Sequence, residues 1–437
     1  MESEKMKGWS STTIKEINIR KSKNVNPAQF PEEQFESYSV PIFPTGKPEI
    51  VKGESIKSSK QLVSQDEVLL CKINPRINRV WQVGNYSSHQ KIASSEWIII
   101  NTNKIIPTNY LRYLFSAPFF RKLMQQDVSG VGGSLTRARP KIVENYPFPL
   151  PPLAEQNRIV TKLDKLFGHL DLLKERLDRI PKMIEDFRQS VLNQAVSGKL
   201  TEEWRAFKLG DLGDWKGGGT PSKSNKNFWT NGQTLWITPK DMKDKFLDDS
   251  KMKITTSAVK GSSANLIPLN SILIVTRSGI LRRILPIALN LVETTVNQDL
   301  KTIVLNKEFY PKFILYSLIS QEGQIRINCM KSGTTVESVE TSLLKEYVIY
   351  IPTFLKQKEI VRRIESLFAK SDTILARYEQ LRTQIEHLPQ AFLAKAFRGE
   401  LVPQLPEDGD ARELLEEIKR MKEETEGESK RKSKKKK

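Results

Sequence analysis

Residues Pro151–Leu200 read PPLAEQNRIVTKLDKLFGHLDLLKERLDRIPKMIEDFRQSVLNQAVSGKL, and residues Pro352–Leu401 read PTFLKQKEIVRRIESLFAKSDTILARYEQLRTQIEHLPQAFLAKAFRGEL. The two stretches align without a gap at an offset of 201, pairing Gln156 with Gln357, Leu166-Phe167 with Leu367-Phe368, Asp171 with Asp372 and Gly198 with Gly399. A repeat at fixed offset bears on the architecture of the whole chain. In the first copy apolar residues fall at Ile159, Leu163, Leu166, Leu170, Leu173, Leu177, Ile180, Ile184, Phe187 and Val191, in alternating steps of four and three. The second copy keeps the register at Ile360, Ile364, Leu367, Ile374, Tyr378, Leu381, Ile385, Leu388 and Phe392, with Ser371 the polar residue on the seam. A period of 3.5 held this long predicts a helix whose narrow apolar stripe pairs with another such helix. At a rise of about 1.5 Å per residue each would be roughly 65 Å long. Gly198 and Gly399 suit the left-handed geometry just past a helix end, and Pro152 suits a first turn. Pro181 and Pro389 are expected to kink or break their helices. One heptad helix alone would be read as packing onto a globule or mediating dimerisation. Two matched copies in one chain are expected to pair with each other, antiparallel, within one molecule.

The text around the two copies also repeats. Trp9, Ile14 and Ile17 are echoed by Trp204, Leu209 and Leu212. In the first globule strand-like runs occur at Glu67–Lys72, Val80–Val83 and Trp97–Asn101, then a helical stretch at Thr108–Gln126 and a glycine loop at Ser129–Pro140. In the second, strand signals at Leu235–Thr238, Ser271–Thr276, Thr302–Leu305 and Tyr347–Ile351 accompany a helical stretch at Pro311–Arg326 and a glycine loop at Ser332–Thr335. The expected division is globule 1–150, helix 151–200, globule 201–350, helix 351–402, and 403–437 as a short helix near Asp410–Glu424 with a basic, disordered tail. The fold class is α+β: two α/β globules separated and followed by long helices that form an antiparallel intramolecular coiled coil with pseudo-two-fold symmetry.

The 437 residues carry a formal charge of +19 and a pI near 9.6. Lys430, Arg431, Lys432 and Lys434–Lys437 supply seven positive charges; removing those seven from +19 leaves +12. That excess favours a polyanionic partner, nucleic acid first. Cys71 and Cys329, isolated in sequence, offer no disulfide framework. The N-terminus lacks a leader's apolar run, and no stretch approaches the ~18 apolar residues of a membrane span. These features point to a reducing compartment, the cytoplasm.

No catalytic constellation emerges. There is no phosphate-cradling GxxxxGK[ST] loop. Asn74-Pro75-Arg76 lacks the second proline and the aromatic of an amino-methyltransferase motif. Gly130-Val131-Gly132-Gly133 neither follows a strand nor opens a helix. Pro239-Lys240-Asp241 with Asp244-Lys245 reads as a solvated turn sooner than as a nuclease carboxylate cluster. His89, His169 and His387 are scattered, and no metal-ligand spacing occurs. What remains is a set of basic and amide side chains in matched loops. The first globule offers Lys72, Asn74, Arg76, Arg79, Lys91, Arg137 and Arg139. The second offers Lys216, Lys223, Lys226, Lys240, Arg277, Arg282, Arg283, Lys331 and Thr334. Lys and Arg neutralise phosphates, while Arg and Asn also pair bidentately with base edges. Taken singly, each of these is more readily a solvated charge than a base reader.

Pro151-Pro152-Leu153-Ala154-Glu155-Gln156-Asn157-Arg158-Ile159, the helix exits Ala195–Leu200 and Ala396–Leu401, Val296-Asn297-Gln298-Asp299 and Ser332-Gly333-Thr334-Thr335 together resemble the specificity subunits of type I restriction-modification enzymes. The second helix opening departs, with Lys356 where the pattern has a glutamate before Gln357. The resemblance covers nearly the whole chain. It implies two target-recognition domains, each reading one half of a bipartite, asymmetric DNA sequence, with the helix pair setting the spacing and carrying two modification (adenine methyltransferase) subunits. It further implies restriction subunits that cut and translocate DNA, with S-adenosylmethionine, ATP and Mg²⁺ held by those partners and no cofactor or catalytic residue in this chain. The C-terminal helix would help to dock a methyltransferase subunit. The competing reading is a coiled-coil adaptor that binds nucleic acid without sequence preference; a stand-alone nuclease or methyltransferase is disfavoured by the absent motifs.

Overall fold

The computed structural model describes residues 6–126, 128–129, 136–196, 204–331 and 336–434, with side chains as far as 424. Gly198, Thr334, the rest of the loop 332–335 and most of the first glycine loop lie outside the described residues. Two globules are built on one plan. In the first, Ser10–Thr13 pairs antiparallel with Pro147–Leu150 and closes the globule just before the long helix. Gln34–Tyr38 runs parallel to Gln90–Ala93. Val68–Cys71 is a central strand between Val80–Gln82 and Trp97–Ile100. In the second, Arg205–Lys208 pairs with Val348–Ile351, Thr234–Ile237 runs parallel to Thr294–Val296, and Ile272–Val275 lies between Ile287–Asn290 and Leu300–Leu305. Val68–Cys71, Val80–Gln82, Trp97–Ile100, Thr234–Ile237, Ile272–Val275, Leu300–Leu305 and Val348–Ile351 lie within two residues of the runs that announced them, whereas the other strands named here were not announced. The helical stretches are each two helices: Thr108–Ser116 and Pro118–Gln126, and Pro311–Ser320 and Glu322–Cys329. The first break falls at Pro118, which cannot continue the preceding turn; the second falls at Gln321, which leaves helical geometry at φ −103, ψ 9.

The chain divides into Met1–Arg176 with Leu381–Lys437, and Leu177–Gln380. The long helices are therefore not segments of their own, as the sequence division had them. Each core takes in the beginning of one helix and the end of the other. Ile159 and Leu163 join Leu393, Ala396 and Phe397 around Ile14, Ile17, Phe115 and Phe120. Ile360, Val361, Ile364 and Phe368 join Leu192 and Val196 around Ile272, Ile274, Phe313 and Leu315. Apolar burial contributes about 25 cal/mol per Å², and a sheet-and-helix core covers more of a helix than one partner helix can.

The first long helix runs Leu153–Asp178 and resumes at Ile180–Val196, broken ahead of Pro181 as expected. The second runs Phe354–Ala396 without a break at Pro389. Its last turns are held by the buried Leu393, Ala396 and Phe397, so packing outweighs the missing hydrogen bond. It ends at Gly399 with φ +71. Pairing is antiparallel. In the first unit the Phe167 and Phe392 rings lie 6.3 Å apart, while Arg158, a few turns earlier, reaches Asp408 and the Pro403 carbonyl beyond the other helix's end. In the second unit Arg188 Nε donates to Ser371 Oγ at 2.7 Å, pairs with Asp372 and lies over the Phe368 ring. Ser371, the polar residue of the seam, is buried and donates to the Phe368 carbonyl at 2.7 Å.

Of the seam, Ile159, Leu163, Leu170, Ile184, Ile360, Ile364 and Tyr378 are buried, and Leu166, Leu177, Ile180, Leu367 and Ile385 are half-buried. Leu173, Ile374 and Leu381 are exposed by 46%, 50% and 36%. A two-helix seam buries a strip only, and these positions belong to neither globular core.

The repeated glutamine begins each long helix in the same way. Gln156 Nε2 donates to the Pro151 carbonyl at 2.7 Å and Gln357 Nε2 to the Pro352 carbonyl at 3.0 Å. Gln357 Oε1 also accepts the Tyr310 N–H at 2.7 Å. The corresponding helix-capping residue in the first unit is Pro107, which has no N–H, and the buried Gln156 Oε1 finds no donor among the described residues. Satisfying a buried orphan gains about 1–3 kcal/mol, whereas losing proline's restriction of the unfolded chain costs about 0.4–1 kcal/mol. Pro107→Ala is thus expected to raise stability by about 1 kcal/mol, read from denaturant midpoints; a loss would show that the new N–H does not reach Gln156.

The Glu155/Lys356 departure has a structural cause. Glu155 is buried and accepts the Trp9 indole N–H at 2.8 Å; burial pushes its carboxyl pKa up. Around it close Arg158–Asp408 and the Ala411 N–H on the Gly8 carbonyl at 2.9 Å. Gly8 sits at φ +79 with the Gly409 carbonyl oxygen 2.8 Å from where a Cβ would stand, so only glycine fits. Lys356 instead pairs with Glu359 at 2.9 Å. The C-terminal helix spans Ala411–Lys434, longer than the expected Asp410–Glu424 and helical into the tail expected to be disordered. Its Ala411 and Ile418 are part of the first core.

Candidate nucleic-acid interface

In both globules the chain leaves the central strand into the same three-way junction. In the first, the Lys72 N–H donates to the Glu96 carbonyl at 3.0 Å, the Ala138 N–H to the Lys72 carbonyl at 2.8 Å and the Asn74 N–H to the Thr136 carbonyl at 2.7 Å. Ile73 bridges Arg137. In the second, the Thr276 N–H donates to the Asp299 carbonyl at 2.8 Å, the Val339 N–H to the Thr276 carbonyl at 2.8 Å and the Lys331 N–H to the Ser338 carbonyl at 2.8 Å, with Arg277 bridging Ser338. Lys72 thus answers to Thr276, Glu96 to Asp299 and Arg137 to Ser338. The main-chain frame is shared and the side chains differ.

The first junction gathers Lys72, Asn74, Arg76, Arg79 and Arg137, with Arg139 following as the cap of Pro140–Val143. Asn74 stands at φ +46, a left-handed turn that asparagine tolerates. Arg79 Nη1 reaches the Ile73 carbonyl at 3.4 Å. The second gathers Arg277, Lys331 and Arg282, whose Nε donates to Glu337 Oε1 at 3.0 Å, with Arg283 exposed beside it. Two further loops are drawn to this edge. The Asn297 N–H bonds the Ile237 carbonyl at 2.9 Å, which places the turn of Lys240 alongside. The Gly219 N–H bonds the Val296 carbonyl at 3.0 Å, and Thr220 donates to Gln298 Oε1 at 2.6 Å, which brings in the loop of Lys223 and Lys226. Lys216 lies inside the strand Gly213–Gly217 opposite Thr302, back from the junction.

Lys91 does not belong to this edge. Its Nζ is 3.3 Å from Glu36 Oε2, and it donates to the Ser87 carbonyl at 3.0 Å. The Glu36 side chain is fully buried and accepts from Tyr38 at 2.7 Å and Ser87 at 2.6 Å. Burial raises the Glu36 carboxyl pKa, but the Ser87 and Tyr38 hydroxyls and the Lys91 ammonium outweigh it and leave the group below the usual carboxylate range. Lys91 is a half-buried counter-ion to a buried carboxylate, set apart from the edge where it was expected to meet DNA. Choosing by positive charge also missed Glu96, Thr220 and Gln298. The Asn297-Gln298-Asp299 run was the available signal, since polar residues clustered at a strand end mark a built turn.

Asp241 accepts from the Thr238 N–H at 2.9 Å, its hydroxyl at 2.6 Å and the Lys251 N–H at 3.1 Å, so it braces a turn. Among the described residues no cluster of three His, Cys, Asp or Glu side chains is placed to hold a metal ion, and no helix is long and apolar enough to cross a membrane. Cys71 and Cys329 are buried free thiols whose pKa is pushed up by burial. Two basic edges with a common frame suit phosphate neutralisation and base-edge reading.

The sequence profile of the family described as "Type I restriction modification DNA specificity domain" matches residues 6–182 and 201–383. The chain is 36% identical over 242 residues to the Type I restriction enzyme EcoR124I/EcoR124II specificity subunit of Escherichia coli, an overlap of 53% of this chain and 59% of that protein. It is 28% identical over 351 residues to the Type I restriction enzyme EcoKI specificity subunit of Escherichia coli (strain K12), covering 74% and 73%. The crystal structure of the HsdS subunit from Thermoanaerobacter tengcongensis superposes with a TM-score of 0.65 at 20% identity, over 90% of this chain and 97% of that one. At that identity the likeness is one of fold.

Proposed function

Because the chain belongs to the type I restriction-modification DNA specificity family, whose profile takes in both globules, we propose that it is the non-catalytic DNA-recognition subunit of a type I restriction-modification complex. Each globule reads one half of a bipartite, asymmetric target. The helix pair sets the half-site spacing and docks two methyltransferase subunits, which restriction subunits join. S-adenosylmethionine, ATP and Mg²⁺ serve those partners, and the complex works in the cytoplasm, where its DNA lies. The C-terminal helix has its apolar face in the first core, so any part it plays in docking falls to its outward face, with Arg412, Glu416 and Lys419.

The observation that carries this reading is the pair of junctions: one frame, with Lys72, Glu96 and Arg137 on one side and Thr276, Asp299 and Ser338 on the other. Readers of two different half-sites need equivalent placement and unlike side chains. Exchanging residues 1–150 for the corresponding globule of a relative is expected to change one half-site and leave the other intact, as mapped by methylated adenines. Change in both halves would defeat the idea of independent readers. The adaptor reading differs in competition against mixed genomic DNA, where it predicts binding that fades evenly with salt and prefers no sequence.

A further inference from the structure

One cation of the first junction is held by a carboxylate along one side of its fork. Arg137 Nε lies 3.3 and 3.2 Å from the two oxygens of Glu96, and Nη2 lies 3.2 Å from Oε1. Both ends of this contact are anchored. The Glu96 N–H bonds Ser94 Oγ at 3.2 Å and its carbonyl takes the Lys72 N–H. The next residue, Trp97, is buried with its indole N–H on the Tyr38 carbonyl at 2.8 Å. The Arg137 backbone pairs with Ser129 and bridges Ile73. An exposed ion pair of this kind contributes little stability. Its effect is directional: the carboxylate takes the Nε side of the guanidinium, and among the described residues no other hydrogen bond engages Nη1 or the outer N–H of Nη2. That outward pair of donors matches the O6 and N7 acceptors of guanine in the major groove. A cation meant only to neutralise phosphate gains nothing from an adjacent carboxylate, which repels phosphate.

We propose that Arg137 reads a guanine in the half-site of the first unit and that Glu96 is its positioning residue. The corresponding residues of the second unit, Ser338 and Asp299, lack the fork, so these equivalent positions do not read a base in this way. The inference rests on the DNA-recognition reading above, and the experiment separates the two.

The full chain is tested by selection from random duplexes, then by competition among duplexes substituted base by base, at several salt concentrations. Arg137→Lys keeps the charge and loses the fork. It is expected to keep the salt slope and the affinity for non-target DNA while discrimination at one G·C pair falls about ten- to a hundredfold. Glu96→Gln is expected to weaken discrimination at that same pair by less. An Arg137→Lys protein that loses affinity equally for all sequences, or retains every base preference, overturns the proposal, as does a Glu96→Gln effect at a different base pair. Absence of any sequence preference in the wild-type chain would instead bring down the recognition reading itself.

Discussion

Lys91→Ala should lower the stability of the first unit by about 3–5 kcal/mol, the usual cost of removing one partner from a buried ion pair. The Glu36 side chain has no solvent exposure, and Lys91 is 12% exposed. Truncating the lysine strands a carboxylate whose remaining support is the Tyr38 and Ser87 hydroxyls. The exposed pair Lys52–Glu32, at a similar 3.1 Å, should cost well under about 1 kcal/mol when broken, because water solvates both ions. Acid gives the same test from the other partner. Glu36 is depressed in the folded state, so the folded chain binds fewer protons there than the unfolded chain. Its stabilisation is complete above the ordinary carboxylate range and fades as pH falls through that range toward the depressed value. Denaturant midpoints from neutral pH downward should show this loss, flattened in Glu36→Gln. A Lys91→Ala protein of wild-type stability that loses specific DNA binding would return Lys91 to the reading edge.

The second large effect concerns the ruler. One heptad inserted between Arg179 and Ile180 and another between Gln380 and Leu381 fall at positions related by the 201 offset. The second insertion falls at the division between the two compact units, and the first falls three residues past it. Arg188–Ser371 lies between the two inserts and Phe167–Phe392 outside both, so each contact keeps its own register. Seven residues add about 10.5 Å of helix, close to 3 base pairs at about 3.4 Å each. The expected outcome is an unchanged pair of half-sites with a gap about 3 base pairs longer. Loss of one half-site's contacts should make the original target on the order of a hundredfold weaker. Methylation mapping reads both quantities. Altered half-site bases with the original gap would refute the helix pair as spacer.

The sequence by itself determined that there are two long helices, where they begin and which stripe of each is apolar, because side-chain period is a local property of the chain. It determined the duplicated plan as well, since strands announce themselves through runs of four to six apolar residues such as Val68–Cys71 and Ile272–Val275. What covers an apolar stripe is not local. Only the tertiary structure decided that Ile159 and Leu393 share one core while Leu192 and Ile360 share the other, that Leu173 and Ile374 face water, and that the second long helix continues through Pro389 while the first is interrupted ahead of Pro181. The same holds for charge. A lysine's letter states its sign, but whether it meets solvent, as Lys223 does, or a buried glutamate, as Lys91 does, depends on residues more than fifty positions away. The energy of a charge is set by its dielectric surroundings and its partner, and neither exists until the chain has folded.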